Sequence, residues 1–201
     1  MALVARITGI IAAIIWFIGA PLFALAGVPF PSDAQYLVEG TIAVLLGLAL
    51  IPVTQTIGGP IKSRKKTFVR LSGLAVCVAL FGSGVMSILA VQGRFGQSVG
   101  REIVDTAVVV VVALFVWVTA ASIFLRGPST IDRWQFWLGV LTGVSCVMPV
   151  IGSILMFYFA QGFVFTNATV LPLFLVDLLL WISLPAWLTV VVVGLPKTAA
   201  A

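Results

Sequence analysis

Six carboxylates and no histidine set the range of chemistry open to this chain of 201 residues. Five of the acids, Asp33, Glu39, Glu102, Asp105 and Asp132, fall near the breaks between apolar runs, where water can reach them. Asp177 does not: it sits inside LPLFLVDLLLWISLPAW, with no other charge in that stretch. Its neighbours at helical spacing are Leu173, Phe174, Leu180, Trp181 and Leu184. Only the Trp181 indole on that face offers a hydrogen bond. An acid at the centre of a membrane helix costs on the order of 2.5–3.5 kcal/mol, so Asp177 must be paired across helices or held neutral. A carboxyl so placed is expected to mark the passage of an ion, a proton or a small solute. The other readings of it are a structural hydrogen bond between helices and a contact with another subunit. Arg101 is the first candidate counter-ion, with Asp105 and Gln55 as further polar candidates for the same site.

Other chemistry is poorly supplied. Without histidine the chain lacks the commonest general base, the usual haem ligand and the commonest zinc ligand. Cys77 and Cys146 stand apart in separate apolar runs, and two lone thiols do not make a metal site. No nucleophile motif and no phosphate loop occurs. The expectation is therefore no enzyme, no cofactor and no metal. The net charge of +5 is concentrated beside apolar runs, above all in KSRKK, where Lys62, Arg64, Lys65 and Lys66 suit anionic lipid headgroups better than nucleic acid.

These residues must be held by elements built for an apolar solvent. The chain is 62% hydrophobic and 8% charged, against about 25% charged for ordinary soluble domains. Six apolar segments are long enough to cross ~30 Å of hydrocarbon as helices, at about 4–26, 37–58, 68–92, 103–125, 134–160 and 169–195. The connections between them are short, so the fold class is all-α, a single transmembrane domain formed as a six-helix bundle. With six crossings, Arg6, Lys62, Arg64, Lys65, Lys66, Arg70, Arg126, Arg133 and Lys197 fall on one side and only Arg94 and Arg101 on the other. The asymmetry predicts both termini in the cytoplasm of a multi-pass plasma-membrane or bacterial inner-membrane protein. LFALAG at 22–27 resembles a signal-peptidase site, but one Arg in the preceding region and a long apolar run read better as the first helix.

Small residues are expected to set the packing. Gly139 and Gly143 form a GxxxG, and Gly82 and Gly84 lie in GSGVMS. In lipid such residues let backbones approach, within the bundle or against a partner such as a second copy or another membrane subunit. Pro21, Pro52, Pro149 and Pro185 fall within or near the ends of spans, where each frees a carbonyl. The function expected from this pattern is a small transporter or channel-like protein for an ion or small solute. The alternative is a non-catalytic accessory or scaffold subunit of a larger membrane complex. On the first reading, Asp177→Asn abolishes coupled flux in reconstituted vesicles, and unchanged flux excludes Asp177 from the path.

Overall fold

The computed structural model describes residues 2–26, 33–61, 63–92, 99–126, 131–154 and 167–194, with side chains over 2–19, 33–34, 36–61, 64–92, 108–126, 131–147 and 179–194. These residues form six helices: α1 (Ala2–Ala26), α2 (Asp33–Ile57), α3 (Ser63–Val91), α4 (Val99–Leu125), α5 (Arg133–Ile154) and α6 (Asn167–Gly194). Each expected segment coincides with one helix. The expected end of the fifth segment, to residue 160, lies outside the described residues. The helices α2, α3 and α4 start about a turn before the apolar runs do. Hydropathy registers only the apolar part, whereas Lys and Arg are good helix formers. The α3 start thus takes in Arg64, Lys65 and Lys66, which the sequence places in a loop, and Asp33 opens α2, where an acid complements the helix dipole.

Among the described residues, four helices are long and apolar enough to cross a membrane, through Ala2–Gly19, Tyr36–Ile57, Arg64–Val91 and Val108–Leu125. The α6 run Leu179–Gly194 is apolar and shorter. Their outward faces are greasy: Leu3, Ile7, Ile14 and Phe17 on α1, Leu48 and Ile51 on α2, and Leu71 and Val78 on α3 are exposed, Val78 to 72%. Hydroxyls are drawn inward instead. Thr54, Ser83, Ser87, Ser122, Thr142, Ser145 and Ser183 are all buried. Several bond back to their own helix: Ser122 donates to the Val118 carbonyl (2.7 Å), Thr142 to Leu138 (2.8 Å) and Ser145 to Leu141 (2.9 Å). Among the described residues the outward faces are mostly apolar and these seven hydroxyls lie inside.

Each helix packs on its sequence neighbours, and α1 meets α6 to close the ring, with α2 touching α6 across the middle. Successive helices run antiparallel. Gly19 of α1 meets Ile42 of α2, Gly143 and Gly139 of α5 meet Thr119 and Ser122 of α4, and Gly9 of α1 meets Val192 of α6. One end of the bundle therefore gathers Arg6, Arg64, Lys65, Lys66, Arg70, Arg126 and Arg133. There Lys65 lies 5.3 Å from the centroid of the Phe124 ring and Arg126 4.7 Å from that of Phe136. Arg70 donates from Nε to the Gln55 carbonyl at 3.1 Å, capping the C-terminus of α2 with a positive charge.

The α2–α3 seam is the tightest. A Cβ on Gly84 would lie 2.5 Å from the Gly40 carbonyl oxygen, and one on Gly40 would lie 2.6 Å from that of Gly84. A Cβ on Gly47 would meet the Cys77 carbonyl at 3.0 Å, and one on Gly73 would meet Thr54 at 2.6 Å. Positions 40, 47 and 54 of α2 thus face 84, 77 and 73 of α3. The seven-residue step is that of helices crossing at a shallow angle. Gly82, two residues from Gly84, is exposed, and a Cβ there would meet nothing within 4 Å. Gly84→Leu is accordingly expected to lower stability by about 1–3 kcal/mol or more, the usual cost of overpacking, while Gly82→Leu is nearly silent. Denaturant titration in detergent measures both, and equal stabilities would refute the seam.

Candidate functional site

Two polar arrangements are closed within the bundle, and one is open. The first closed one joins α4, α5 and α6. Trp187 is fully buried, donates from Nε1 to Ser122 Oγ at 3.1 Å and packs edge-on against Trp117 at 5.6 Å. A Cβ on Gly139 would collide with Ser122 Oγ and stand 2.7 Å from the Trp187 indole nitrogen. Gly139 is therefore glycine because an indole and a hydroxyl meet over it. No sequence pattern singles out Trp187, since the tryptophan and its serine partner come together only in three dimensions.

The second closed arrangement joins α1 to α6. Pro21 has no N–H, so the Phe17 carbonyl one turn earlier loses its helical donor. Trp181 Nε1 donates to that carbonyl at 3.2 Å, and the Phe17 and Trp181 rings lie 6.4 Å apart. A freed carbonyl and an indole in need of an acceptor thus satisfy one another. Trp181, a candidate for the solute site, points this donor at α1.

The open arrangement is a cavity of about 260 Å³ between α1, α2, α3 and α4. Trp16 and Gly19 come from α1, Glu39, Ile42, Ala43 and Leu46 from α2, Leu80 and Ser83 from α3, and Val110 and Val111 from α4. The small residues Gly19, Ala43 and Ser83 leave the space, and the glycine seam beside it fixes α2 against α3. Trp16 Nε1 is buried with no hydrogen-bond partner. Ser87, one turn beyond Ser83 on the same face of α3, also has a buried hydroxyl oxygen without a partner. Among the described lining residues Glu39 is the one acid and none is basic. The sequence places Glu39 at an outer helix end, as part of a mixed-charge vestibule with Glu102 and Asp105 or as a solvated end residue; it lies in the second turn of α2, half-buried.

The sequence-predicted residues are distributed as follows. Gln55 lies at the basic end of α2, half-buried, and its carbonyl takes the Arg70 bond. Gly139 and Gly143 face α4, Gly84 faces Gly40, and Gly82 is exposed. Arg64 and Lys65 are exposed and Lys66 half-buried at the start of α3; Lys62 lies outside the described residues. Asp177 is the eleventh residue of α6, while Arg101 and Asp105 fall in the first two turns of α4, and the side chains of all three lie outside the described ones. Among the described residues no group of three or more Cys, Asp or Glu is placed to hold a metal ion. Cys77 and Cys146 are free and buried on separate helices. Compared with known proteins, the chain matches no family model, no curated protein and no solved structure.

Proposed function

We propose that this chain is a multi-pass integral membrane protein that binds a small solute or ion in the α1–α4 cavity and passes it across the bilayer. The observation that carries the reading is Glu39, a carboxyl among the mostly apolar described lining residues of a cavity between four helices. Ionisable groups are costly at membrane depth, and where they face a cavity they mark solute pathways. The proposed topology has six crossings with both termini in the cytoplasm. It is supported by the Lys and Arg residues gathered at one end of the bundle. In this arrangement Arg64, Lys65 and Lys66 contact anionic headgroups of the inner leaflet, and the cavity lies toward the opposite face. Asp177 is proposed as a further polar station on α6. No catalytic step is proposed.

The accessory-subunit reading relies on Gly139 and Gly143 as a partner surface. Both glycines are occupied by α4 of the same chain, so the cavity gives the first reading the stronger support.

Flux into reconstituted vesicles of protons, potassium and methylammonium tests the proposal. At least one is expected to cross faster than into protein-free vesicles, and Glu39→Gln is expected to slow it about tenfold, a barrier change of about 1.4 kcal/mol. No protein-dependent flux, or flux untouched by the substitution, contradicts it. The topology has its own check. A cysteine at Lys66 is expected to react with a membrane-impermeant maleimide only from the cytoplasmic side, and one at Gln92 only from the outside.

A further inference from the structure

We infer that the α1–α4 cavity selects a small aromatic or aliphatic ammonium, a single ring or short apolar body carrying one positive charge; the inference rests on the proposed reading of this cavity as a solute site. Three properties of the lining converge on that class. The first is size. A cavity of about 150 Å³ accepts benzene, so one of about 260 Å³ holds one ring with a short arm. The second is the wall. Ile42, Leu46, Leu80, Val110 and Val111 give an apolar wall suited to a hydrocarbon body and offering nothing to a strongly hydrated ion such as a bare metal cation. The third is charge. Glu39 supplies a carboxylate with no basic residue among the described lining residues, and the Trp16 ring adds an aromatic face that attracts cations.

An anion is disfavoured by the same geometry. Its negative charge would stand beside Glu39, with the Ser83 hydroxyl as the hydrogen-bond donor among the described lining residues. A neutral molecule would fill the apolar wall but leave the carboxylate without a counter-charge. A protonated amine satisfies both: its N–H groups donate to Glu39 and Ser83, and its body covers the wall.

Three water-soluble probes share one ring and differ in charge: 2-phenylethylammonium, 2-phenylethanol and phenylacetate. Their binding to the detergent-purified full chain at pH 7 is measured by calorimetry and by tryptophan fluorescence. The ammonium is expected to bind at least about tenfold more tightly than the alcohol, and the carboxylate more weakly still. Glu39→Gln is expected to erase the preference for ammonium over alcohol while the alcohol still binds. The comparison of probes in the unsubstituted chain needs no variant, so it stands even where a substitution impairs folding. Equal binding of ammonium and alcohol, or a preference that survives Glu39→Gln, overturns the charge selectivity and leaves the cavity as a binding site for neutral solutes. Binding of none of the three overturns both this inference and the reading of the cavity as a solute site.

Discussion

The close approach of Gly40 to Gly84 is the contact on which the rest of the bundle depends. Two helices with apolar outer faces gain nothing from apolar burial if their surroundings are also apolar. They hold together where backbones come near enough for dense van der Waals contact and for Cα–H groups to meet carbonyls. Reciprocal glycines on α2 and α3 provide that approach, and Gly47 against Cys77 and Gly73 against Thr54 extend it along the seam. The seam fixes α2 in the position that turns Glu39 inward. A side chain at either glycine would push the helices apart and reshape the wall of the cavity.

Polar groups inside the bundle obey a second constraint: without water each must find a partner in the protein or stay unsatisfied at a cost. The Ser122, Thr142 and Ser145 hydroxyls return to carbonyls of their own helix. Arg70 reaches the end of α2, and Trp187 reaches Ser122. Trp181 takes up the Phe17 carbonyl that Pro21 leaves without a donor. The buried Trp16 indole of the cavity wall has no partner, and the same is true of the Trp117 indole and the Ser87, Thr119 and Ser183 hydroxyls. A buried donor without an acceptor costs about 1–3 kcal/mol.

Much of this architecture was legible from the amino acids. Six apolar runs separated by short charged breaks gave six helices, four of which are long and apolar enough among the described residues to cross a membrane. The GxxxG at Gly139 and Gly143 was readable as a packing face, although the sequence could not say which helix would fill it. The α2–α3 seam was less visible. Its α2 positions recur every seven residues rather than every four, and Gly84 looks no different in sequence from the exposed Gly82. Glu39 was legible only as an acid at an outer helix end, open to a mixed-charge vestibule or to solvent. Hydropathy started the second helix near 37, whereas α2 starts at Asp33 and Glu39 falls in its second turn. The Trp181–Phe17 bond joins residues 164 positions apart, and no local pattern announces such a pair.

The central claim is that the space around Glu39 is a cation-selecting cavity rather than a packing void. Cysteine chemistry at Ser83 tests it most directly, since serine to cysteine keeps the size of a residue in the cavity wall. The rate of modification of Ser83→Cys by a cationic methanethiosulfonate is compared with that by an anionic one, each relative to the unsubstituted chain with its two buried thiols. The account expects clear modification, with the cationic reagent faster. A thiol inert to both reagents, or one modified faster by the anion, would contradict it.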